Sequence, residues 1–112
     1  MARVLAFVPD LLFGSNVQSR LQAAGHQVAL VADPAGADSD DIDVVVVDLT
    51  VEPDARIAAV QRTGLLEKAT LAFYSHVEQD VRALAEEAGF DLVVPRSRMA
   101  REGPELVTLL SA

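Results

Sequence analysis

Short, continuous apolar runs recur along the chain with polar stretches between them. They are Val4-Leu5-Ala6-Phe7-Val8, Val28-Ala29-Leu30-Val31, Val44-Val45-Val46-Val47, Leu71-Ala72-Phe73 and Leu92-Val93-Val94. Continuous rather than alternating apolar character marks strands covered on both faces, as in a parallel sheet. Valine dominates, and its stiff β-branched side chain suits a packed, pleated surface.

The stretches between the runs carry helix signals. Phe13, Val17, Leu21 and Ala24 recur at helical spacing, with Gly25 as a stop. Pro53 fits the first turn of a helix that carries Ile57 and Val60 inward and ends at Gly64. After the fourth run, Val77, Val81, Leu84, Ala85 and Ala88 form one apolar stripe, and Gly89-Phe90 suits a left-handed cap with its hydrophobic contact. Pro104 is expected to open a last helix holding Leu106, Leu109 and Leu110. The alternation weakens from Asp33 to Asp43, where Pro34, Gly36 and five aspartates leave no apolar stripe. That stretch reads as a loop with at most one helical turn. The order predicts one α/β domain over residues 1–112. Its five parallel strands form a doubly wound sheet in the order 2-1-3-4-5, with the second helix short or missing.

Composition narrows the function classes. With 51% hydrophobic and 23% charged residues the chain is globular rather than disordered. A formal net charge of -8 opposes a nucleic-acid binder, which would present a basic face. No apolar run approaches the ~20 residues of a membrane span. The first run begins at Val4, leaving no room ahead of it for a signal peptide, and there is no cysteine. A cytoplasmic protein is the expectation. Eight of the nine basic residues are arginine, and Lys68 is the single lysine.

In such a sheet, ligands gather at the C-terminal strand ends where the winding reverses. Asp10, Asp48, Ser75 and Arg96 stand there, each at or just after an apolar run. Two carboxylates brought close repel unless a cation or donors intervene, and Mg²⁺ held by one or two carboxylates and waters is the usual solution. A carboxylate beside such an ion can attack phosphorus, and a hydroxyl and a cation nearby can hold the transferred phosphoryl oxygens.

These residues resemble the receiver domains of bacterial response regulators, a CheY-like branch of the flavodoxin-like fold. Val44-Val45-Val46-Val47-Asp48 is similar to the third strand ending in the phosphoacceptor. Leu71-Ala72-Phe73-Tyr74-Ser75 is similar to the fourth strand ending in the switch Ser/Thr. Ala88-Gly89-Phe90-Asp91 resembles the Ala-Gly-Ala-Asp stretch before the fifth strand. The resemblance spans roughly Val4 to Leu110 and rests on order and spacing. It implies Asp48 as phosphoacceptor, with Ser75 and Arg96 contacting the phosphoryl group and His76 and Ser97 as pocket neighbours. It also implies Mg²⁺ on Asp10, Asp48 and the Thr50 backbone carbonyl.

With three departures from the family pattern, the chain resembles an atypical, pseudo-receiver branch. The acid pair after strand one is reduced to Pro9-Asp10. Arg96, in Pro95-Arg96-Ser97, stands where the family keeps lysine, and the exchange is not conservative. His76 follows the switch residue, where receivers keep a small side chain.

Plainer readings stand beside each residue. Ser75-His76-Val77-Glu78 fits a capping box, Asp10 fits a helix cap, and Asp48 can bond loop amides at a strand end. His76 fits an exposed first-turn residue, and Arg96 can simply pair with an acid. The resulting expectation is a stand-alone signalling domain, not an enzyme. It would act through protein partners such as a histidine kinase, a downstream effector or a second copy, with aspartyl phosphorylation impaired or absent. The alternatives are a working Mg²⁺-dependent phosphoacceptor and a flavodoxin-like small-molecule binder.

Overall fold

A computed structural model describes residues 2–112. The apolar runs form β1 (Arg3–Phe7), β2 (Gln27–Val31), β3 (Val44–Asp48), β4 (Ala69–Tyr74) and β5 (Leu92–Pro95), paired in parallel in the order β2-β1-β3-β4-β5. This is the expected doubly wound, flavodoxin-like sheet. Every residue of β3, at the centre, is buried. That is why its four valines run without a polar break: both faces of the strand lie under helices.

Four helices cover the sheet: α1 (Leu11–Ala23), α2 (Pro53–Gln61), α3 (Gln79–Ala88) and α4 (Arg96–Ser111). On one face Val17 and Leu21 of α1 and Met99, Leu106 and Val107 of α4 pack on Val4, Ala6, Val44, Val46, Leu71 and Phe73. On the other, Ile57 and Val60 of α2 and Val81 and Ala85 of α3 pack on Leu5, Val45, Val47, Ala72 and Tyr74. Between β2 and β3 there is only the 3₁₀ turn Ser39–Asp41, as the aspartate-rich stretch foretold. Its acids cap local amides: Asp38 Oδ1 accepts from Asp40 N at 3.1 Å.

Several local expectations need correcting. Pro104 does not open the last helix but lies inside α4, which starts directly after β5 at Arg96. The proline is tolerated because Met99, Leu106 and Val107 anchor both halves of the helix in the core. Val77 and Leu84 are exposed and leave the α3 stripe to Val81 and Ala85. Gly64 does not end α2; it starts a 3₁₀ turn, Leu65–Glu67. Gly89 does take the left-handed conformation, φ 109°, closing α3 while Phe90 buries against the core. Asp91 then ties this corner to β4, its Oδ2 accepting from Thr70 N at 2.9 Å while its N–H donates to Thr70 Oγ1 at 2.9 Å.

Gly14 sets how closely α1 lies on the sheet. A Cβ there would stand 2.9 Å from the Val8 carbonyl oxygen and 3.2 Å from a Leu30 methyl. At the opposite edge from the candidate site, His26 in the α1–β2 turn is buried. Its Nδ1 accepts from Ala2 N at 3.0 Å. Its Nε2 lies 3.1 Å from Thr108 Oγ1, whose hydroxyl donates to the Pro104 carbonyl at 3.0 Å. Thr108 Oγ1 must therefore accept, which places the ring proton on Nε2.

Candidate functional site

Because all pairings are parallel, the C-terminal strand ends share one edge. The register sets Phe7 beside Val47 and Asp48 beside Phe73. The loops leaving β3 and β4 and the first turns of α1 and α4 enclose a crevice of about 550 Å³. Thr50, Ser75, His76, Arg96 and Ser97 line it with Phe13 and Val51. Five of the candidate residues are thus brought together, and the two acids are not among the lining.

Asp48 lies beneath this crevice with 2% of its surface exposed. Its Oδ1 accepts from Thr50 N at 2.8 Å and from Thr50 Oγ1 at 2.6 Å. Its Oδ2 stands 3.3 Å from Arg56 Nη1, and the same nitrogen donates to the Asp48 backbone carbonyl at 3.1 Å. Thr50 therefore meets Asp48 through its N–H and hydroxyl, whereas the resemblance implies a role for its carbonyl.

Arg56 was not among the residues singled out from the sequence. A signal was there: it sits in the first turn of α2, after Pro53, where the helix dipole disfavours a cation. A positive charge in that position suggests a nearby acid. Which acid could not be read, because the loop between them folds back on itself. Glu52 in that loop takes a left-handed conformation, φ 47°. A non-glycine residue there costs about 1–2 kcal/mol and persists only when neighbours hold it.

Asp10 is exposed and caps α1, its Oδ1 accepting from Phe13 N at 2.8 Å. Ser75 does not cap α3. That helix begins at Gln79 with Glu78 at the cap position and no side-chain cap bond, and Ser75 bonds the turn through its carbonyl to Glu78 N at 2.9 Å. The capping-box spacing fails because the chain spends three residues on a turn before the helix starts. His76 is exposed in that turn, its carbonyl accepting from Gln79 Nε2 at 2.9 Å. The Arg96 guanidinium lies 4.3 Å from the centre of the Phe13 ring, which in turn meets Phe73 edge-on at 5.2 Å. Arg96 is thus held by an aromatic face rather than by Asp48, leaving its charge turned to the crevice.

As a cradle for Mg²⁺ this arrangement fits poorly. The buried Asp48 carboxylate is already committed, Oδ1 accepting from two Thr50 donors and Oδ2 standing against the Arg56 guanidinium. Among the described residues, no three His, Cys, Asp or Glu side chains are grouped to hold a metal ion.

No protein-family model matches the sequence, and no curated protein matches it either. The structure has clear likenesses among solved ones. A response regulator receiver domain protein from Clostridium thermocellum superposes with a TM-score of 0.78 at 16% identity, over 99% of this chain and 94% of that one. A response regulator protein from Burkholderia multivorans gives 0.69 at 24% identity, over 100% and 97%. A protein assigned to pilus assembly (cpaE) in Burkholderia thailandensis gives 0.81 at 15% identity, over 99% and 98%. Response regulator receivers thus share the fold, nearly end to end.

Proposed function

We propose that the chain is a receiver-like signal-transduction domain, of an atypical kind, that acts through protein contacts with aspartyl phosphorylation impaired or absent. The observation that carries this reading is the state of Asp48. A phosphoryl donor must bring phosphorus against a carboxylate oxygen, and here both oxygens are engaged beneath the surface. Asp10, the other acid of the expected pair, is engaged in capping α1, and a Mg²⁺ ion at Asp48 Oδ2 would have to displace Arg56.

The surface supports action through contacts. Leu11 and Leu12 are 81% and 85% exposed, and Val51 and Val77 are also open. All four lie on segments that follow strand ends on the crevice edge. Exposed apolar side chains on one edge of the sheet suit a protein partner better than a small ion. No helix in the described residues is long and apolar enough to cross a membrane.

The test is intact mass after incubation with Mg²⁺ and a small phosphodonor. Unchanged mass for the wild-type chain is the expected result. Gain of one phosphoryl group, lost in Asp48→Asn, would replace this reading with that of a working phosphoacceptor.

A further inference from the structure

We propose that the groove beside β2, left open where a crossover helix is missing, receives a short basic amphipathic helix from a partner protein. The groove shares no lining residue with the crevice. The inference therefore goes beyond the functional reading and holds whether or not Asp48 accepts phosphate.

The architecture of the sheet leads to it. A helix joins β1 to β2, β3 to β4 and β4 to β5, but from β2 to β3 the chain makes only the 3₁₀ turn Ser39–Asp41. A parallel sheet is normally covered on both faces. Here the cover given by α2 and α3 stops short of β2. Leu5 is in register with Val45 on one side and Ala29 on the other, so all three share that face. Val45 is fully buried, whereas Ala29 is exposed and Val31 only half-buried.

The uncovered end forms a groove of about 450 Å³, with Ala29, Val31, Ala37 and Ile42 in its lining. The five residues of β2 span about 16 Å. A helix laid along them needs about 11 residues, or three turns.

Charge selects the occupant. Asp33, Asp38, Asp40, Asp41 and Asp43 are all exposed in the connecting segment, and Asp38 and Asp41 line the groove itself. Their local bonds are to backbone amides: Asp33 accepts from Ala35 N, Asp38 from Asp40 N and Asp43 from Arg3 N. Those bonds leave the negative charges in place. Among the described residues the one cation lining the groove is Arg3, whose Nη1 stands 3.4 Å from Asp41 Oδ1.

An apolar floor with an acidic rim fits a helix whose apolar stripe is flanked by lysine or arginine. A second copy of the chain fits poorly, because it would bring its own net charge of -8 against that rim. A three-turn helix buries less than the ~1,200 Å² of a standard interface, so the contact is a transient one.

The probe is a synthetic peptide of about 14 residues with leucines at helical spacing and flanking lysines, titrated into the ¹⁵N-labelled full chain by NMR. It should shift the amides of Ala29, Val31 and Ala37, gain helical circular dichroism, and bind more weakly as salt rises. A peptide with glutamate for lysine, and one with the same lysines but a scrambled stripe, should each bind about 10-fold more weakly or worse. Asp38→Asn with Asp41→Asn keeps the local acceptor oxygens and should weaken the lysine peptide about 5-fold. Ala29→Arg, at an exposed position, sets bulk and like charge on the floor and should weaken it about 10-fold or more.

The proposal fails if the shifts centre on Leu11, Leu12, Val51 and Val77, if the glutamate peptide binds equally well, or if neither variant changes the affinity. It fails also if light scattering shows a dimer that Ala29→Arg dissociates, since a second copy would then fill the groove. Should Ala29→Arg not fold, the aspartate pair decides alone. Neither variant touches Asp48, so phosphorylation of wild type would overturn the functional reading and leave this one standing.

Discussion

Replacing Thr50 with valine removes one hydroxyl from the centre of the candidate site and nearly nothing else. Valine matches threonine in shape, and the backbone N–H at position 50 continues to reach Asp48 Oδ1 at 2.8 Å. What is lost is the 2.6 Å bond from Thr50 Oγ1 to a carboxylate oxygen with almost no access to water. A hydrogen bond to a charged group contributes about 1.5–3 kcal/mol. Thr50 is half-buried and Oδ1 keeps one donor, so the lower half of that range applies, about 2 kcal/mol. Urea unfolding is the assay, followed by circular dichroism because the chain has no tryptophan. With a slope of about 1–3 kcal/mol per molar urea, the midpoint should fall by roughly 1 M. Thr50→Ser, which restores the hydroxyl, should recover most of the loss. The family resemblance implies instead a role for the main chain of position 50, and under it Thr50→Val would stay within about 0.5 kcal/mol of wild type. A midpoint that unmoved would refute the clasp on Asp48.

Two further substitutions test how the scaffold is held. Gly14→Ala would ordinarily gain about 1 kcal/mol of helix propensity. Here its Cβ would press on the Val8 carbonyl at 2.9 Å, which cannot swing aside, so a net loss of about 1–2 kcal/mol is expected. That loss should lower the melting temperature by roughly 4–8 °C, and a rise instead would show that α1 can shift freely off β1. His26→Phe keeps an aromatic ring but leaves the buried Ala2 N–H without its acceptor, which costs about 1–3 kcal/mol. Thr108→Val should cost less than His26→Phe, because Thr108 is exposed and water can replace its bonds. Equal losses for the two, measured by thermal unfolding, would contradict that ranking. Since His26 lies at the far edge, its replacement should leave the phosphodonor result for Asp48 unchanged.

The sequence determined the sheet because each strand's burial is written into consecutive residues. Four valines in a row have only one comfortable environment, between two layers of helices, and the polar stretch with five aspartates has only one, in water. From strand sequence and right-handed crossovers the site's edge followed, and with it the crevice that gathers Ser75, His76, Arg96 and Ser97. Local spacing was less informative about helix starts. Ser75 and Glu78 keep the spacing of a capping box while the backbone between them makes a turn, and Pro104 sits inside a helix because core contacts on both sides outweigh its missing N–H.

The partner of each acid, by contrast, came from the folded chain alone. Asp10 and Asp48 look alike in the sequence, each an acid just past an apolar run. One ends up capping a helix in solvent and the other lies buried beside Arg56, eight residues further along. Periodicity reports which residues are buried. It does not report which cation a folded loop will set against a buried acid, because that contact depends on the path of the chain between them.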